Sequence, residues 1–168
     1  MAYTTRFSLV EDYLAHLDPM MAGIADQFIQ SRYLGFVLIS AVTVYELAIK
    51  DIIYEFSDKK HVVLGKFARA KFDQLNGRIK IDSLKNEHIK MFGDKYVDKF
   101  KNKLQKKEDA SLAAGGPSIK SSYGNIITWR HAFVHQGVAP STTNYEEIKR
   151  AYLAGKEVLH CVNEAMVR

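Results

Sequence analysis

Apolar positions along this chain recur at spacings of three and four, and sustained alternation with period two is nearly absent. Spacings of three and four put side chains on one stripe of a helix, so the pattern predicts helices and almost no strand. A first helix is expected over residues 7–29, broken or kinked at Asp18-Pro19, where the proline ring disfavours helix in the residue before it. A second covers 33–56. It contains the most apolar stretch, "YLGFVLISAVTVYELAI", which is short for a membrane span and carries Glu46, so a buried helix is the expectation. A third covers 62–76, where Asn76-Gly77 reads as a helix end because no alternating run follows it. A short helical segment over 83–92 and a lysine-rich one over 94–107 come next. The small residues and paired glycines of "KKEDASLAAGGPS" (106–118) predict a mobile loop, either a simple connector or a flap beside a site, leading into the following helix.

That fourth main helix runs from Pro117 or Ser118 to Gln136, with proline suited to a first turn and Gly137 to the position after the last. The fifth covers 144–167. Asn144 can cap it, and Glu146 and Glu147 sit at the positive end of its dipole. Its stripe of Tyr145, Ile148, Tyr152, Gly155, Leu159, Val162 and Met166 alternates spacings of three and four, as lengthwise helix packing requires. Core within the chain is the favoured reading, with a dimer surface second. The fold class is therefore all-α, an up-and-down bundle of four to five main helices with short extra ones.

Composition changes this picture little. A chain of 168 residues, 47% apolar and 26% charged, is globular and suggests a single domain over 1–168. The lone Cys161 allows no internal disulfide and no cysteine-based zinc site. The first twenty residues lack the basic-then-apolar order of a signal peptide, so a cytoplasmic location is expected. A net charge of +5 is compatible with a polyanionic partner and equally with an ordinary basic protein.

The chemistry concentrates in "WRHAFVHQG", residues 129–137. At about 100° per residue, Ile119, Tyr123, Ile126, Ile127, Phe133 and Val134 share one side of the helix, and Arg130 falls near the middle of that stripe. A guanidinium there is costly unless it is paired or reaches solvent. Two readings compete. Arg130 bridges to Glu46 and pins two helices, or it lines a cleft and meets an anionic substrate. His131 and His135 share a face. Their spacing suits metal chelation, but His16, His61, His88 and His160 are scattered, so no metal site is expected. Arg130 and His135 project about 140° apart on an ideal helix. Convergence needs fraying near Gly137, side chains bent into one cleft, or a site shared between two chains.

These residues resemble the HEPN domain family. The resemblance rests on Arg130-x4-His135 with a polar His131 after the arginine, late in an all-helical chain, and on "SAVTVYELAIKDII" with Glu46 in an apolar helix. It implies a bundle of four or five helices and a dimer that forms the active cleft. Active members of the family are metal-independent endoribonucleases, often prokaryotic toxins or defence effectors, and others are inactive binding modules. Arg130 and His135 would be the catalytic pair, with His131 assisting and Glu46 supporting. RNA, a second copy of the chain and an antitoxin protein are the implied partners, with no cofactor and no membrane. The chemistry fits these residue types, since imidazole exchanges protons near neutral pH and guanidinium stabilises developing phosphate charge. In "KYVDKFKNKLQKK" (95–107), Lys99, Lys103, Lys106 and Lys107 are the candidate contacts to an RNA backbone. The plainer reading is a solvated amphipathic helix.

Overall fold

A computed structural model describes residues 2–75, 77–137 and 143–167. A 3-10 turn, Ala2–Arg6, precedes α1 (Ser8–Met21), α2 (Gln27–Lys60) and α3 (Val62–Phe72). After a connector, α4 (Ile81–Ser83) runs into a π turn (Leu84–Ile89) and a 3-10 turn (Lys90–Phe92). Then come α5 (Asp94–Ala113), α6 (Ile119–Gln136) and α7 (Tyr145–Met166). The described residues contain no strand, so the all-α expectation holds. None of their helices is long and apolar enough to cross a membrane.

The last helix, α7, packs on α2, α5 and α6. Its stripe of Tyr145, Ile148, Tyr152, Gly155, Leu159, Val162 and Met166 is buried in the chain's own core. Three tyrosines organise the middle of that core. The Tyr45 ring lies between those of Tyr123 and Tyr152, with centroids 5.1 and 5.7 Å away and nearly parallel planes. Each buried phenol donates to a backbone carbonyl: Tyr45 to Tyr152 at 2.8 Å, Tyr123 to Ile79 at 2.7 Å, Tyr152 to Phe7 at 3.3 Å. Burying a hydroxyl is tolerable on these terms. Burial also keeps the three phenols protonated, raising their pKa well above the ordinary tyrosine value.

The same helix holds the start of the chain. Tyr145 donates to the Leu14 carbonyl and to Asp18, and the Tyr3 hydroxyl meets His160 Nδ1 at 2.8 Å. Lys149 completes the attachment through both Asp18 oxygens.

Three boundaries differ from the sequence reading. Pro19 sits inside the last turn of α1, and the break falls at residues 22–26. There Gly23 and Ile24 turn back onto Met20 and Met21, and the Asp26 carboxylate accepts the N–H groups of Phe28 and Ile29. Two capped amide donors start α2 at Gln27, ahead of the expected residue 33. Helix α3 ends at Phe72, short of residue 76.

A fourth difference replaces the expected loop over 106–118. Helix α5 continues through its alanine-rich end to Ala113, leaving only residues 114–118 as a turn. That turn is tied down. Gly116 N–H donates to the Ser111 carbonyl, and the Ser111 hydroxyl donates to that of Pro117. The Glu108 carboxylate, 7% exposed, accepts from the Ser118 hydroxyl and the Lys120 N–H. It caps the start of α6 and neutralises orphan donors there.

Candidate functional site

Helix α6 carries the site. Its first turns are core: Ile119, Tyr123, Ile126 and Ile127 are buried. Toward its C-terminus it emerges. Phe133 is half-buried, with its ring against the backbone of α2 at Gly35, where an added methyl would overlap the ring. Val134, predicted on the apolar stripe, is 50% exposed. Gly137 ends the helix in the left-handed region, φ 73°, with its N–H on the Phe133 carbonyl at 2.8 Å. The helix does not fray before Gly137, so that route to bringing Arg130 and His135 together is not taken.

Arg130 is half-buried beside a cavity of about 220 Å³. The walls are Val42 of α2, Gly77 and Lys80 of the α3–α4 connector, and Ile127, Thr128, Arg130 and His131 of α6. The Nε of Arg130 is buried and has no hydrogen-bond partner among the described residues. The expected bridge to Glu46 is not formed. Val42, one turn earlier on α2, is the residue at the cavity, and Glu46 Oε1 faces Gly77, 3.8 Å from where a Cβ would stand. The Glu46 charge adds to burial in keeping the Tyr123 phenol protonated.

His131 lines the cavity and is exposed, as is His135. Their rings touch, with centroids 4.2 Å apart at 55°. Arg130 and His131 share the cavity, and His135, one turn along the helix, meets the His131 ring and does not line the cavity. Among the described residues, no group of three or more His, Cys, Asp or Glu side chains comes together as metal ligands would.

Lys80 was not legible as a site residue. It stands alone in "RIKID", with no periodic signal, and reaches Arg130 only through the path of the connector. That path is set by distant groups. Ile79 is fully buried with its carbonyl on the Tyr123 hydroxyl, and Lys50 Nζ donates to the Asp73 carbonyl at 2.6 Å. Tyr123→Phe is expected to destabilise the protein by roughly 1–3 kcal/mol, the cost of a stranded buried acceptor. A urea melt reads this; an unchanged midpoint would mean water satisfies the Ile79 carbonyl.

The four lysines proposed for RNA lie elsewhere. Gln105 and Glu108 of α5 contact Lys120 at the start of α6, roughly 15 Å along the axis from Arg130. Lys103 is paired with Glu164, and Lys107 with Glu157 and Glu164. Lys99 and Lys106 are exposed. None of the four lines the Arg130 cavity.

An arginine on the wall of a cavity, with one imidazole on the same wall and a second in contact with the first, on an all-helical scaffold, is the arrangement against which known families can be compared. The family described as RiboL-PSP-HEPN matches residues 2–168. The chain belongs to that family. It carries the HEPN-type, nuclease-like helical fold, and the match runs from the first described turn through α7. No curated protein and no solved structure matches the chain. Within this HEPN domain, the Arg-x4-His spacing falls on the emergent end of α6, where Arg130 is partly sheltered and both histidines are open to solvent.

Proposed function

We propose that this HEPN domain is a metal-independent endoribonuclease, a toxin or defence effector working in the cytoplasm as a homodimer under the control of an antitoxin protein. The observation that carries the reading is the Arg130 guanidinium, with a buried, unpartnered Nε beside a cavity that also holds Lys80 and His131. Two cations with no carboxylate partner among the described residues suit a phosphodiester. The alternative is a catalytically inactive HEPN-like binding or dimerisation module; the Arg130 guanidinium, unpaired among the described residues, supports the enzyme reading over it.

The ribose 2′-hydroxyl attacks phosphorus, and one imidazole of the His131–His135 pair takes its proton. The other gives a proton to the departing 5′-oxygen, so the products end in a 2′,3′-cyclic phosphate and a 5′-hydroxyl. Arg130, aided by Lys80, stabilises the charge that builds on the phosphorane oxygens. Glu46 supports the wall at Gly77. A dimer, which the family resemblance implies, would let a second copy bring its own His135 to the cavity. Lys99 and Lys106 add long-range attraction, screened beyond about 10 Å at 0.1 M salt.

The test is RNA cleavage in EDTA, with the product ends analysed, by wild type and Arg130→Ala. Wild type is expected to give cyclic-phosphate ends, and Arg130→Ala to lose roughly 10²–10³-fold in rate. Because Arg130 pairs with no carboxylate among the described residues, the unfolding free energy of the variant should stay within about 0.5 kcal/mol of wild type. Absence of wild-type cleavage by the dimer freed of any antitoxin would refute the proposal.

A further inference from the structure

The connector between α3 and α4 has a cavity on each side. Gly77 and Lys80 face the Arg130 cavity. Gln74, Leu75 and Arg78 face a larger one of about 490 Å³, closed by Lys71 and Phe72 of α3 and by Glu87, His88 and Met91 beyond α4. That volume is within the range of small-molecule sites. Gly77 and Arg78 are consecutive, so the two cavities meet across one short stretch of backbone.

The second cavity has a built wall. Its π turn is a rare backbone form that recurs at functional positions, and it places Glu87 and His88 on the lining. His88 is 7% exposed, and its Nε2–H donates to the Arg78 carbonyl at 2.7 Å. Its ring stands edge-on to Phe72. With Tyr123 on the Ile79 carbonyl and Lys50 on that of Asp73, the connector is held by three separate elements. The carbonyls of Asp73, Arg78 and Ile79 are thus fixed before anything binds, which lowers the ordering cost of binding.

Its charges are free. Lys71 and Arg78 are exposed and form no ion pair among the described residues, whereas Lys103 and Lys107 are committed to Glu157 and Glu164. Lys71, Arg78 and Lys80 thus form a basic line that leads from this cavity over the connector to Arg130. Glu87 and Gln74 add acceptors, and Phe72, Leu75 and Met91 an apolar side. Phosphates need the first set, and base edges and faces use the second and third.

We infer that this cavity is a nucleotide subsite for the single-stranded RNA that enters the Arg130 cavity. Lys71 and Arg78 hold backbone phosphates, and Glu87 accepts from a base amino group. The inference rests on the RNA-cutting reading and moves the strand from α5 to the connector.

The probe is a fluorescent 2′-O-methyl oligoribonucleotide, which lacks the attacking hydroxyl and so binds without being cut. Anisotropy titrations of the full chain would compare wild type, Lys71→Glu, Arg78→Glu and, at an exposed cation of α7 away from both cavities, Arg150→Glu, each checked by thermal melting. Both connector-side reversals should weaken binding roughly tenfold and flatten the salt dependence, and Arg150→Glu should change it less than about twofold. Lys71 is exposed on α3, so its variant tests the site even if Arg78→Glu fails to fold. Wild-type affinity and salt slope in Lys71→Glu, or no binding by wild type, would overturn the subsite. If the oligomer binds through Lys71 and Arg78 while unmodified RNA is not cut, the subsite stands and the nuclease reading falls. If RNA is cut and neither reversal matters, the reverse holds.

Discussion

Replacing His135 with alanine is expected to slow RNA cleavage by roughly 10²–10⁴-fold, the usual worth of a positioned acid or base. The fold should be untouched. His135 is exposed in the last turn of α6, and its ring packs only on that of His131. Removing it leaves no cavity and strands no buried donor. The one stabilising role left to it is a cation near a helix C-terminus, worth about 0.3–1 kcal/mol when protonated. Single-turnover cleavage and a thermal melt on the same preparation separate the two effects. A large loss of rate with a nearly unchanged melt assigns His135 to the chemistry. Full activity in the variant would remove it from the mechanism and leave the proton transfers to His131 and to groups outside this pair.

The second large effect concerns stability. Glycine to alanine inside a helix ordinarily stabilises by about 1 kcal/mol. At Gly155 the sign should reverse. A methyl there overlaps the Tyr45 hydroxyl and meets the Tyr123 Cα at 3.2 Å. Neither neighbour yields easily. Tyr45 is stacked on both faces and bonded to the Tyr152 carbonyl, and the Tyr123 atom is backbone. Overpacking of this kind costs typically 1–3 kcal/mol, which outweighs the propensity gain. Gly124, also helical, has nothing within 4 Å of its missing Cβ, so Gly124→Ala should stabilise by about 0.4–1 kcal/mol. Urea midpoints that move in opposite directions for the two variants would support the close approach of α6 and α7. A stabilised Gly155→Ala would contradict it.

What the sequence told and what it withheld divide along local and distant causes. The stripe of α7 was legible because burial on one helix face leaves a spacing of three and four, and those residues are core. Arg130 was legible as a candidate because a guanidinium on an apolar stripe is conspicuous wherever it points, and it lies at a cavity. Its partner was not. Glu46 also interrupts an apolar run, but one turn of α2 turns it to Gly77 instead of Arg130. The alanines near 110–114 read as a loop because paired glycines follow them, yet alanine favours helix, and the Ser111 and Glu108 contacts make the following turn rigid. Lys80 was invisible. Its place at the cavity depends on a tyrosine 44 residues away from Ile79 in sequence, and no local pattern records that bond.

The attachment of the first helix to the last has a consequence for how the molecule is made. Tyr3 reaches across 157 positions to His160, Phe7 receives the phenol of Tyr152 across 145, and Leu14 that of Tyr145 across 131. Within this domain α1 is synthesised well before the helix that these bonds reach. Until α7 is in place, α1 has its packing on α2 but lacks the bonds from Tyr145 and Lys149, and Tyr45 and Tyr123 lack the third ring of their stack. Local helices form early in such a domain, but closure between α1 and α7 must wait for both. A fragment that stops before α7 would therefore carry Arg130 and both histidines on an α6 without one of the helices that seat it.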